Sequence, residues 1–348
     1  MAAKIVERKR TASGSGGSAP KAGSGRMVFG VTMGDAGGVG PEIILKAFRD
    51  GGIRHPVVVF GDLAALDYCN RLLGYAVPLR KAGTPQDRQQ DCLNVIDLGR
   101  LRSEDLRIGE VNATSGAAAR EYVVAAAKAA LRGDIGAMVT LPMNKEATQL
   151  SDSGFVGHTE LIGEVCGVKD VTIMLASEQL IVTHVSTHCS LREAIERVKR
   201  DRIAKIIELT CDAVARLRTG PRIAVAGLNQ HAGENGLFGR EEIDEIRPAV
   251  DWAKARGLPV DGPFPPDTLF YMAVEKKRFD AVVCMYHDQG HVPLKLLDFE
   301  GGVNVALGLP IVRTSVDHGT AFDIAYKGVA STRSLICALE MAARLAGR

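Results

Sequence analysis

The stretch "MYHDQGHVPLKLL" (285–297) sets His287, Asp288, His291 and Lys295 directly after the apolar run "FDAVVCMY". Two imidazoles, a carboxylate and an ammonium at the end of a buried strand can ligate a metal, hold an anionic substrate or line a polar turn. The pattern recurs: His188 stands just past "LIVTHVST", and His231 just past "RIAVAGLNQ". Three imidazoles converging from three strand ends suit a divalent metal such as Zn, Co, Ni or Mn, with positions open to substrate. The other reading is three separate hydrogen-bonding histidines. His184 lies four residues before His188, but the Ile, Val and Thr around it argue for a strand and not a zinc-binding helix.

Two further segments carry chemistry. In "MGDAGGVGPEII", Gly34, Gly37, Gly38 and Gly40 follow a strand and open a helix. They could bring backbone N–H groups to an anion. The spacing is not G-x-G-x-x-G and no P-loop lysine follows, so a tight turn is the safer expectation. In "LGLPIVRTSVDHGTAFDIAYKGVAS", Arg313 offers a planar fork for a carboxylate or phosphate. Asp317, His318, Gly319, Thr320 and Asp323 form a polar loop ahead of a helix. An aspartate there can bond a ribose hydroxyl; a helix cap with a surface ion pair is the alternative. Lys145 and Asp288 are secondary candidates for proton transfer or orientation.

The elements that must position these residues alternate along the chain. "MVFGVTM", "PVVVFG", "AMVTLP", "VTIMLA", "LIVTHVSTH", "RIAVAGL" and "AVVCMY" read as strands. "PEIILKAFRD", "DLAALDYCNRLLG" and the Ala-rich "SGAAAREYVVAAAKAALRG" read as helices, the last closed by Gly133. "SLREAIERVKRDRIAKIIELTCDAVARL" reads as one long helix capped by Ser190, with Glu193 in the capping-box position. Short all-apolar strands point to an α/β fold with a mostly parallel sheet. Ligands in such folds bind beyond the carboxyl ends of strands, which predicts one composite site there.

Composition bounds the rest. Residues 1–26 are rich in Gly, Ser and Ala and hold six Lys/Arg against one Glu, so a disordered basic tail is expected. The remaining chain is mildly acidic, which argues against a nucleic-acid surface. Seven scattered cysteines without C-x-x-C suit reduced thiols in a cytoplasm. No apolar run approaches a membrane span, and the N-terminus lacks the apolar core of a signal peptide.

On "VTMGDAGGVGPEI", "GHTELI", "STHCSLR", "AGLNQHAGENGLFGREEID", "GPFPPDTLF", "MYHDQGHVPLKLL" and "GGVNVALGLPIVRTSVDHGTAFDIA", the sequence resembles the 4-hydroxythreonine-4-phosphate dehydrogenase (PdxA) family. The stretches keep the family order and cover nearly all of residues 27–348. The resemblance implies an isocitrate/isopropylmalate-dehydrogenase-like fold with two α/β/α domains and a cleft between them. Residues 27–142 with 305–348 would form the NAD side, and 143–304 the metal, substrate and dimerisation side. It further implies a homodimer with sites at the interface. NAD would oxidise the secondary alcohol of a phosphorylated hydroxy acid, and the resulting β-keto acid would lose carbon dioxide. By the same resemblance, His188, His231 and His287 hold one divalent metal (Zn, Co, Mn, Ni or Mg). His158, Thr159, Lys295, Asn304 and Arg313 contact substrate, and Asp323 with its neighbours contacts NAD.

The chain departs from the vitamin B6 enzymes in several places. Asn144-Lys145 stands for a usual His-Lys, "HAGENGLFG" for "HAGEGG", and "HDQGHVPLKLL" for "HDQGLPVLK". "GDAGGVG" replaces the commoner "GDPAGIG". These features resemble the branch that oxidises D-threonate 4-phosphate or D-erythronate 4-phosphate, a catabolic role. The alternatives are 4-hydroxythreonine 4-phosphate oxidation in pyridoxal phosphate synthesis and, more distantly, a phosphate-binding acyltransferase.

Overall fold

The structure is a computed structural model, and it describes residues 27–347. The expected tail, residues 1–26, lies outside the described residues. Twelve strands form one sheet: β1 (Phe29–Thr32), β2 (Val57–Gly61), β3 (Leu79–Lys81), β4 (Leu93–Asp97), β5 (Ala137–Thr140), β6 (Thr172–Ala176), β7 (Ile181–His184), β8 (Ile223–Ala226), β9 (Val260–Phe264), β10 (Ala281–Cys284), β11 (Val303–Leu307) and β12 (Arg313–Val316). Their order is β3-β4-β2-β1-β5-β12-β11-β6-β7-β10-β8-β9. Most of these strands are short, apolar and fully buried, as all-apolar runs require.

Two parallel blocks flank an antiparallel joint. β3, β4, β2, β1, β5 and β12 run parallel to their neighbours, as do β7, β10, β8 and β9. Between them β11 pairs antiparallel with both β12 and β6, and β6 antiparallel with β7. Following these pairings, the two blocks point in opposite senses. The expectation of one site beyond a single row of carboxyl ends therefore needs correcting: side chains on the joint itself take part.

Two helical expectations also change. The run 190–217 divides into Leu191–Glu196 and Arg200–Leu217. Lys199 is extended, and Glu245 accepts from the Arg200 amide (2.8 Å) and the Lys199 ammonium (2.9 Å), which starts the second helix from outside. The Ser190 hydroxyl accepts from the Glu193 amide as expected (3.2 Å), while Glu193 itself pairs with Arg197. Residues 287–297, read as a loop, form a helix, His287–Leu297, with Pro293 inside. Its spacing puts His287, His291 and Lys295 on one stripe.

The helix Ala113–Leu131 is capped by Asn112, whose carbonyl oxygen accepts from Thr114 (2.8 Å) and Ser115 (3.2 Å) amides. It packs against the short helix Lys145–Gln149 with almost no gap. A Cβ on Gly116 would stand 2.3 Å from the Ala147 carbonyl. Asn144, where a histidine is usual in the resembling enzymes, caps that short helix through the Ala147 amide (2.8 Å). Gly116→Ala is expected to cost about 1–3 kcal/mol by overpacking. Thermal unfolding checks this: the midpoint should fall by several degrees, and an unchanged midpoint would show that the helices can part freely.

Candidate active site

The antiparallel joint carries the polar cavity. Asn304 lies directly opposite Ser315, and Arg313 is two residues before Ser315. Side chains alternate along strands, so all three share one sheet face. Above them is a cavity of about 340 Å³, closed by His158, Thr159 and Glu160 at the start of the helix His158–Cys166, and by Asp317, His318, Gly319 and His188.

Buried polar groups here lack protein partners. The Arg313 guanidinium is 3% exposed and donates to the Thr140 hydroxyl (2.7 Å), but its Nε has no partner. Burial lowers its pKa to about 10, so it stays cationic at neutral pH. His158 Nε2 and Asn304 Oδ1 are likewise shielded and unpaired. Lys295 Nζ lies 3.1 Å from Asp317 Oδ2 as an ion pair. It sits outside hydrogen-bonding geometry, so that oxygen keeps acceptor capacity. Native proteins pair nearly all such groups, so several orphans in one cavity mark a place built for a ligand. The Arg313 N–H suits an oxyanion, while the neutral His158 nitrogen and the Asn304 oxygen are acceptors that suit hydroxyl groups of the same ligand.

The three predicted metal histidines divide. His188 and His287 have ring centroids 6.2 Å apart and line a second cavity of about 370 Å³ with Tyr286 and Asp288. His287 Nδ1 is 2.6 Å from Asp288 Oδ1. A proton on Nδ1 donated to that carboxylate leaves the Nε2 lone pair for a ligand, which gives Asp288 an orienting role. His231 stands apart, its Nδ1 4.0 Å from Asp267 Oδ2. Among the described residues, no three His, Cys, Asp or Glu lie close enough to hold a metal. His188 (φ 49°) and His231 (φ 52°) both adopt left-handed backbone, which side-chain-bearing residues rarely adopt and which clusters at functional sites.

Two side chains unremarkable in the sequence fix these loops. The Gln289 side chain accepts from the Met285 amide (2.7 Å) and donates to the Gly227 carbonyl (2.8 Å), tying the ends of β10 and β8. Buried Glu242 accepts from the Leu228 and Asn229 amides (both 2.7 Å) at the base of the His231 loop.

The predicted cofactor residues lie nearby. Asp317 and His318 border both the polar cavity and an apolar one of about 200 Å³ lined by Val39, Ile43, Phe299 and Ile324. Thr320 is buried, and its carbonyl accepts from the Val39 amide (3.0 Å). Asp323 is exposed in the short turn Phe322–Ile324. The glycine loop is the tight turn expected: the Gly37 amide donates to Asp35 Oδ1 (2.8 Å) and the Gly38 amide to the Asp35 carbonyl (3.1 Å). With those amides committed, it is no anion cradle. Lys145 is exposed at its helix start and lines neither the polar cavity nor that of His287.

Burial lowers His158 and His184 to about pKa 3 and His291 to about 4. Their native values lie below the ~6.5 of an unfolded histidine, so acid favours the unfolded chain. Burial raises Asp35 to about 6, with the opposite sign as pH rises from its unfolded value of 3.8. The histidines outnumber it. Near pH 5 the unfolded, metal-free chain should bind roughly two more protons than the native one. Denaturant melts from pH 7 to pH 4.5 should show stability falling throughout; a flat profile would mean that these rings are not buried neutral.

Comparison with known proteins supplies the family. Residues 53–342 match the family described as pyridoxal phosphate biosynthetic protein PdxA. The D-threonate 4-phosphate dehydrogenase of Cupriavidus necator is 45% identical over 92% of this chain and 98% of its own. The 4-hydroxythreonine-4-phosphate dehydrogenase of Desulforapulum autotrophicum is 43% identical over 91% and 95%. A crystal structure of 4-hydroxythreonine-4-phosphate dehydrogenase from Klebsiella pneumoniae superposes with TM-score 0.84 at 43% identity, covering 92% of this chain and all of that one. At 13% identity and TM-score 0.50, a β-decarboxylating dehydrogenase from Thermococcus kodakarensis shares the fold alone, over 90% of this chain and 82% of its own. On these matches, the chain belongs to the PdxA family.

Proposed function

We propose that this chain is an NAD- and divalent-metal-dependent dehydrogenase. It oxidises and decarboxylates a 4-phosphorylated hydroxy acid, D-threonate 4-phosphate or D-erythronate 4-phosphate. The observation that carries the reading is the cluster of unpaired buried groups (His158 Nε2, Asn304 Oδ1, Arg313 Nε) beside the His188–His287 pair. Relatives named as dehydrogenases of phosphorylated acids support an oxidoreductase with a nicotinamide cofactor. A relative named for 4-hydroxythreonine 4-phosphate keeps that acid as the alternative substrate. No helix among the described residues is long and apolar enough to cross a membrane.

In this reading residues 27–142 with 305–348 serve the cofactor and 143–304 the metal and substrate. Arg313 holds the oxyanion end of the substrate, with Lys295 released from Asp317 to join it, while neutral His158, Asn304 and Thr159 take the substrate's hydroxyl groups. Remote binding energy of that kind fixes the reacting carbon against the nicotinamide. Asp317 to Thr320, with Asp323, serve NAD. Lys145 would reach the alcohol proton only on closure of its helix over the cavity. NAD, when bound, would supply the hydride acceptor, the alcohol proton would pass to a basic group of the chain, and the β-keto acid so formed would lose carbon dioxide.

The donors fit a divalent metal. His287 presents a free Nε2, His188 faces it, and His231 supplies the third imidazole from a second copy of the chain. When bound, the metal supplies Lewis-acid polarisation of the alcohol being oxidised. A homodimer is supported by apolar side chains left exposed on the helix of His287: Val292 (61%), Leu296 (86%) and, just beyond, Phe299 (71%).

Two experiments test this. Mixing His231→Ala with His287→Ala subunits should restore up to about a quarter of wild-type activity, because half of random dimers carry one intact site. Mixing His188→Ala with His287→Ala should restore none; restoration there, or none in the first mixture, removes the shared site. Separately, Arg313→Ala should lower kcat/KM for the phosphorylated acid by about 10–100-fold, the worth of charged hydrogen bonds, with the KM for NAD nearly unchanged. Equal losses for both would show that Arg313 does not anchor substrate.

A further inference from the structure

Beneath His287 lies a pair of imidazoles that line neither the polar cavity nor that of His287. His184, on β7, is fully buried, and His291 is 7% exposed. His291 Nδ1 is 3.1 Å from His184 Nε2 and 3.1 Å from the His287 carbonyl oxygen. His184 Nδ1 in turn faces the carbonyl of Ile173, on β6, at 3.5 Å. A carbonyl can only accept, so His184 carries its proton on Nδ1 and offers Nε2 as an acceptor. The His291 Nδ1 proton then lies between that nitrogen and the His287 carbonyl. The reverse arrangement would set a lone pair against each carbonyl. The plane of the His291 ring is thus fixed from β6 and β7 as well as from its own helix. The helix can lie this close because residue 290 is glycine: a Cβ there would stand 2.6 Å from His184 Nε2.

His287 is a ring in need of support. It is the first residue of its helix, and its side chain is 40% exposed. Asp288 holds its Nδ1 edge at 2.6 Å. That carboxylate is itself 73% exposed, so water screens the contact and the ring can still pivot about the held edge. The buried His291 ring covers one face of His287, with centroids 3.6 Å apart and planes 11° from parallel. An edge and a face together define where Nε2 points.

Resting on the metal-dependent reading above, we propose that His291, locked by His184, is a positioning residue for His287: it fixes the plane of that imidazole, so that Nε2 is already aimed when a divalent metal arrives. Neither His184 nor His291 is a ligand. A ligand ordered in advance loses less freedom on binding, which raises affinity and narrows the coordination geometry.

The probe is Co2+, whose visible bands report the geometry of its ligands. Full-length wild type, His291→Asn and the double variant His184→Leu/His291→Leu are titrated with Co2+, and each is melted without metal. The asparagine amide sets an N–H near the place of His291 Nδ1, so the His184 and His287 acceptors stay partnered while the stacked ring is lost. The double variant removes both polar partners at once, so neither is stranded in the core. The expected result is a Co2+ dissociation constant raised about tenfold in both variants, the scale of losing an outer-shell partner, with displaced visible bands at saturation. Wild-type affinity and bands in either variant overturn the proposal. So does weaker binding with wild-type bands at saturation, because lost stability alone lowers affinity without altering the ligand geometry. Wild type that takes up no Co2+ would instead overturn the metal reading, and this inference with it.

Discussion

The ladder of β11 is the constraint on which the rest depends. β11 is antiparallel to β12 and β6, β6 is antiparallel to β11 and β7, and together these two strands join two parallel blocks of opposite sense. The reversal keeps the carboxyl ends of the two blocks from forming one continuous edge. It also turns one face of β11 and β12 into the floor of a cavity lined by Asn304, within β11, and Arg313, at the start of β12.

Burying Arg313 there without a carboxylate partner is costly unless an anion arrives. The neighbouring groups are consistent with that purpose. Neutral His158 adds no competing charge, Thr140 accepts from the guanidinium, and Asp317 in the cavity wall is engaged with Lys295. The site resembles half of an ion-pair network, and the neighbouring imidazole pair follows the same logic: Asp288 commits one nitrogen of His287 and leaves the other unspent.

Much of this was legible in the residues. Strand cores, the capped Ala-rich helix and the polar segments after strands all follow from local patterns. What the sequence hid was set by distant partners. The break at Lys199 depends on Glu245, forty-six residues on, and no helical periodicity reveals it. The helix His287–Leu297 was obscured by Gly290 and Pro293, both poor helix formers, yet Gly290 is required for the approach to His184. Gln289 and Glu242 carry no local signal because their partners are backbone groups of other loops. The separation of His231 from His188 and His287 likewise has no one-dimensional signal.

The place of β12 in the sheet has a consequence for how the chain is made. β12 is the last strand in sequence, but it lies in the middle of the sheet, bonded to β5 on one side and β11 on the other. The first five strands can assemble early, with the edge of β5 bare. They remain unjoined to the second block until residues near 316 leave the ribosome. Closing the sheet is thus a late, long-range event of the kind that slows folding and leaves apolar edges exposed in the interval. On emerging, β12 completes both the sheet and the floor of the pocket, so a chain truncated before it would lack the fold's central seam along with Arg313.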